Sequence, residues 1–140
     1  RQLNPVIAGE DDGLLVLNHA GGARSVFDGN RLADHVAADK RRTMGEMTIE
    51  GDKGALRLDG EGRLFFRPFD AADETAVPLD VEPDFTTFGG GCVAALCRAV
   101  VAGLRGEAPY ENAAEDYLQV AAACEAAYRA AETGARVALS

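Results

Sequence analysis

Between Glu46 and Phe69 the chain reads EMTIEGDKGALRLDGEGRLFFRPF, three short runs of alternating apolar and polar residues separated by Gly51-Asp52-Lys53-Gly54 and Asp59-Gly60-Glu61-Gly62. A period of two broken by glycine-rich turns predicts an antiparallel meander of three strands. Successive strand side chains point to opposite sides, so Met47, Ile49, Leu56, Leu58, Leu64 and Phe66 share one face. That face needs a cover. The opposite face carries Thr48, Glu50, Arg57, Arg63 and Arg67, but also Ala55 and Phe65, and is only partly a water face.

Upstream, Leu14-Leu15-Val16-Leu17 is a continuous apolar run, as expected of a central strand covered on both faces or of a face packed on another subunit. Arg24 to Phe27 follows the Gly21-Gly22 pair as its hairpin partner. Gln2 to Ala8 reads as an edge strand or an extended lead-in, because Pro5 lacks a backbone donor. Residues 28–43, DGNRLADHVAADKRRT, are long, polar and without a clear period; a loop of this length within a domain is expected to carry function or an interface. Downstream, Val77-Pro78-Leu79-Asp80-Val81 predicts one more edge strand.

From Phe88 the period becomes helical. Val93, Leu96, Val100 and Leu104 recur at three and four residues, and Gly106 supplies a stop. Asn112 and Glu115 have capping-box spacing before a second helix, with a stripe of Tyr117, Val120, Cys124, Tyr128 and Ala131 and a stop at Gly134. Glu125 and Arg129 form an outward pair four apart, and the many alanines favour helix. These helices are the expected cover of the apolar sheet face, and Arg136-Val137-Ala138-Leu139 is expected to close the chain as a strand. Strands first and helices last predict one α+β domain over residues 1–140: a mainly antiparallel open sheet, two C-terminal helices on one face, the other face free for oligomerisation. An uncovered face with apolar content, Phe27, Phe65 or part of 14–17, predicts a homodimer or higher homo-oligomer through the sheet.

Composition narrows the function. A formal charge of −9 and a pI near 4.6 argue against nucleic acid or an anionic membrane as the main partner. A hydrophobic fraction of 47% with 26% charged residues is that of a soluble globular protein. Cys92, Cys97 and Cys124 lack a Cys-x-x-Cys spacing and read as buried free thiols in a reducing cytoplasm. With His19 and His35 as the two histidines, no metal site is expected. The chain opens on Arg1, which suggests a piece of something longer.

Gly89-Gly90-Gly91-Cys92-Val93-Ala94 formally fits G-x-G-x-x-A. That motif works only after a buried strand that aims the turn and with an acidic residue about 20 positions on that ends a second strand. Pro83 to Phe88 do not read as such a strand and Glu111 opens a helix, so the run is read as a flexible helix start and no residue as cofactor-binding. His19 is read as a surface hairpin residue. No nucleophile motif is present and no catalytic residue is assigned. The hydrogen-bonding groups of loop 28–43 suit a sugar or polyol, and also suit a solvated or interdomain loop.

Three stretches, GEDDGLLVLNHAGGARSVFDGNRL, TMGEMTIEGDKGALRLDGEGRLFFRPF and FGGGCVAALCRAVVAGLRGEAPYENAAEDYLQVAAACEAAYRAAETGARVAL, resemble in order and spacing the C-terminal domain of the Gfo/Idh/MocA family of NAD(P)-dependent oxidoreductases. The most specific part is Glu111-Asn112-Ala113-Ala114-Glu115-Asp116-Tyr117 followed by Tyr128-Arg129-Ala130-Ala131-Glu132-Thr133-Gly134. The resemblance implies a parent enzyme that uses NAD or NADP on a sugar, polyol or related small molecule in the cytoplasm. The family's Glu-Lys-Pro lysine and Asp-x-x-x-His pair are not in this sequence, so no catalytic residue is carried over. What it implies for this domain is the back wall of a substrate site and an oligomer interface, with Asn30, Arg31 and His35 as the substrate-side or interdomain positions. The alternative is a stand-alone binding or oligomerisation module with the same fold, since fold does not set function.

Overall fold

Alternating patterning becomes strand pairing in two antiparallel sheets. The computed structural model describes residues 1–80, 86, 88–111 and 113–139. Among them the order is β1 (Asp12–Asn18), β2 (Arg24–Asn30), β3 (Met47–Gly51), β4 (Gly54–Leu58), β5 (Leu64–Pro68), β6 (Thr75–Val77), a 3-10 turn (Phe88–Gly91), α1 (Cys92–Leu104) and α2 (Ala114–Thr133). Antiparallel strands followed by two C-terminal helices make an α+β fold. The chain divides into two compact units, residues 1–33 with 106–140, and residues 34–105.

In the second unit the meander has the order β3-β4-β5-β6. Its register pairs Met47 with Leu58, Ile49 with Leu56, Leu56 with Phe66 and Leu58 with Leu64, which puts the six expected apolar residues on one face. Gly51 and Gly54 close the β3–β4 turn opposite one another. The conformation of Gly54, φ +144°, is one that side-chain-bearing residues rarely adopt, and a Cβ there would stand 2.9 Å from Pro68 Cα. At the β4–β5 turn the Asp59 carboxylate accepts from the backbone N–H groups of Glu61 and Arg63, both at 3.0 Å, and from Arg63 Nε at 2.8 Å. The strand expected over 77–81 is instead the short β6, which stops before Pro78 because proline has no N–H to continue the ladder; Val81 lies outside the described residues.

On the other face of the meander, Phe65 is not open apolar surface. The Arg57 guanidinium lies 4.5 Å from its ring centroid and that of Arg63 at 5.8 Å, and Arg57 is in turn paired with Glu74. The ring's negative face holds the cations over it.

In the first unit β1 and β2 form a two-stranded sheet with Leu14 opposite Asp28, Leu15 opposite Phe27 and Val16 opposite Val26. The hairpin is as expected, but β2 runs on to Asn30, and β1 is not a central strand: Leu14 is 70% exposed. Gln2 to Ala8 is turn and bend rather than strand. It is pinned by Asp11, whose carboxylate accepts from the backbone N–H groups of Leu3 and Asn4. Residues 136–139 are also not a strand.

Among the described residues α1 packs against the 3-10 turn before it and makes no extensive contact with a strand of its unit, nor does α2 with the β1–β2 hairpin. The expected stripes are therefore exposed, Val93, Leu96, Val100 and Leu104 on α1 and Tyr117, Val120 and Tyr128 on α2. The half-buried positions of α2 are Ala123, Ala126, Ala127 and Ala130, a small-residue face at helical spacing. Glu125 and Arg129 do not simply face outward: with Ala122, Ala126, Ala138 and Leu139 they line a shallow hollow. α2 has Ala113 as N-cap without a side-chain cap, and Asn112 lies outside the described residues. Gly134 ends the helix in the left-handed conformation, its N–H donating to Ala130 O at 2.9 Å. No helix is long and apolar enough to cross a membrane among the described residues.

Among the described residues no apolar side chain is buried, and the buried residues are Asp11, Asp59 and, next to the latter, Gly60. Both carboxylates are held by backbone N–H groups, Asp11 by those of Leu3 and Asn4 and Asp59 by those of Glu61 and Arg63 in its own turn, which compensate the lost hydration. Cys92, Cys97 and Cys124 are exposed rather than buried, because among the described residues no strand packs extensively against the helices that carry them.

Candidate functional site

The three positions singled out by sequence fall in different units: Asn30 and Arg31 in the first, His35 in the second. Asn30 ends β2, and its side chain serves a local turn, Oδ1 accepting from the Leu32 N–H at 2.9 Å. Arg31 is exposed, and its N–H donates to Asp11 O at 2.9 Å, which ties the end of β2 to the start of β1. Neither unit brings all three together.

The rest of the loop, residues 34–43, is far from unstructured. The short Asx links are local: His35 N–H donates to Asp34 Oδ1 at 3.0 Å, and Arg41 reaches both oxygens of Asp39 at 2.9 Å. The Arg41 guanidinium holds the Asp39 carboxyl down to about 2, and the Lys40 ammonium holds Asp34 below the usual carboxylate range. Long-range links are made by one carboxylate on the β4–β5 turn. Glu61 accepts from the Ala38 N–H with one oxygen and from Arg42 Nη1 with the other. Beside it the loop lies against Gly60, where a Cβ would meet Val36 O at 2.5 Å and His35 Cδ2 at 2.6 Å. Arg41 O accepts from the Gly89 N–H at 3.3 Å.

His35 Nε2 is shut off from solvent and has no hydrogen-bond partner among the described residues. His19, by contrast, is exposed with Nε2 at 2.8 Å from Ser25 Oγ, as expected of a hairpin residue. Sequence reasoning missed Glu61 and Gly60. Both stand in a run that announces a turn, and nothing local in it signals a contact with residues 19 to 25 positions earlier.

The glycine run at 89–91 leads through the 3-10 turn into α1, with Gly89 at φ +60° and Gly91 at φ +86°. Of the segment from Pro83 to Phe88, which does not read as a buried strand, residues 83–85 and 87 lie outside the described residues. Among the described residues no three His, Cys, Asp or Glu side chains converge on a point where a metal could sit. Compared with known proteins, the chain matches no protein-family model, no curated protein and no solved structure.

Proposed function

We propose that this chain is the substrate-side and oligomerisation domain of an NAD(P)-dependent oxidoreductase acting on a sugar, polyol or related small molecule in the cytoplasm, and that it is inactive alone. The observation that carries the reading is the closing pattern of the chain, Glu111 to Tyr117 and then Tyr128 to Gly134, which is ordered and spaced as in the Gfo/Idh/MocA C-terminal domain. The long α2 capped by a left-handed Gly134 and preceded by antiparallel strands supports it. Hydride transfer needs donor and acceptor held in one geometry, and this chain carries neither the family's lysine motif nor its aspartate–histidine pair. Its contribution is then a wall of the substrate site, with Asn30, Arg31 and His35 as the residues to test, and a sheet face shared with a second copy.

The deciding experiment reads the coding DNA upstream of Arg1. A continuous frame encoding a strand, G-x-G-x-x-G/A, Glu-Lys-Pro and a later Asp-x-x-x-His is the expected result. A start codon directly before Arg1 sinks the reading in favour of a stand-alone binding module. Turnover of NAD or NADP by the purified chain with any polyol would overturn the expectation that it is inactive alone.

A further inference from the structure

We infer that residues 34–43 are a lid latched shut on the β4–β5 turn, with Glu61 as the latch, and that His35 becomes available to a ligand only when the latch opens. Three separate attachments hold the lid down. Glu61 binds both Ala38 N–H and the Arg42 guanidinium, Gly60 offers a side-chain-free surface on which Val36, Ala37 and His35 rest, and Gly89 N–H holds Arg41 O. Each depends on a residue of the meander or of the 3-10 turn rather than on the lid itself. Between the lid and β3 stands Gly45 at φ +139°, a conformation that side-chain-bearing residues rarely adopt.

The cost of the shut state sits on His35. A neutral imidazole has one donor and one acceptor nitrogen, and here Nε2 is withdrawn from water without a partner among the described residues. A buried polar atom with no partner is disfavoured, so the latch works against the imidazole's own hydration. Opening restores that hydration and presents the ring. Local openings of this kind involve few contacts and leave the rest of a fold standing. Only the consequence for a ligand rests on the substrate-side reading of the loop; whether the lid is shut does not.

The chain carries its own control, since His19 is exposed and His35 is not. Carbethoxylation of the purified 140-residue chain with diethyl pyrocarbonate, followed at each histidine by peptide mass spectrometry, reads the lid without any ligand. His35 in the native chain is expected to react at least about tenfold more slowly than His19, as a group reached only through local opening does. Glu61→Ala, which removes the latch, and Gly60→Ala, which lifts the lid from beneath, should each bring His35 close to the His19 rate and leave His19 unchanged. Equal reactivity of the two histidines in the native chain overturns the lid outright. So does a His35 that stays slow in both variants while their strand circular dichroism is retained. Should Glu61→Ala unfold the meander, Gly60→Ala and the native ratio decide the matter.

Discussion

The two sheets of this protein both carry runs of large apolar residues and end in different states. β1 and β2 carry Leu14, Leu15, Val16, Leu17, Val26 and Phe27, yet as a two-stranded ribbon they leave Leu14, Val16, Val26 and Phe27 largely in water. The meander holds Leu56, Leu58, Leu64, Phe65 and Phe66 half-buried, because β4 and β5 each have a neighbour on both sides. Phe65 is further covered by Arg57 and Arg63. Strand number, more than apolar content, decides how much of a face leaves water: an isolated hairpin is marginal, and three or more strands protect the middle ones.

The strongest way to break the comparison is to spoil the meander at its tightest point. Gly54→Ala puts a methyl group against the backbone of Arg67 and Pro68 in a conformation alanine rarely adopts, and should cost about 2–3 kcal/mol. Hydrogen exchange should then show β3 to β5 amides losing protection and β1–β2 amides unchanged. Equal loss in both sheets would mean that the two units unfold as one.

A middle-sized effect sharpens the contrast directly. Leu56→Ala, between Ile49 and Phe66 on the half-buried face, should destabilise by about 1–2 kcal/mol in urea denaturation. Leu14→Ala on the hairpin should stay within about 0.5 kcal/mol. A larger cost at Leu14 would place that side chain in a covered site.

The smallest effect is electrostatic. The Arg57 guanidinium holds the Glu74 carboxyl below its usual range. At Asp59, burial pushes up, but the Arg63 backbone N–H and guanidinium outweigh it, so the carboxyl also sits low. Groups depressed in the folded state contribute stability above the unfolded carboxylate range, near pH 4, and lose it as pH falls through their lower folded values. Acid titration of β4 and β5 amides should show a plateau down to about pH 4 and then a decline. Arg57→Gln should make that decline shallower. An unchanged slope would remove the Glu74 pairing from the account, as expected if it is a screened surface contact.

Much of the fold was legible one element at a time. The period of two from Met47 to Phe66 predicted three strands, their face and their turns, and the Gly21-Gly22 pair predicted the hairpin. The helical period from Val93 onward and Gly134 located both helices. Errors arose wherever alternation was read without a partner to pair with. Gln2 to Ala8 and Arg136 to Leu139 look extended but join no ladder, and the stretch at 77–81 is cut short by Pro78. For the candidate site, His35 was singled out by its chemistry alone, while Gly60 and Glu61, beside which its loop lies, carry no local mark.

Local order along the chain suffices to set strand, turn and helix, because dihedral preference and side-chain periodicity act between residues a few positions apart. Contacts between elements are another matter: that Glu61 clasps Ala38 and Arg42, 23 and 19 residues away, and that Arg57 on β4 lies over Phe65 on β5, follows from which turn ends beside which loop and which strands are neighbours. A carboxylate in a glycine-rich turn has the same local signature whether it faces water or a guanidinium. Only the tertiary arrangement selects the partner, since electrostatic and packing energies depend on distance in space and not along the chain.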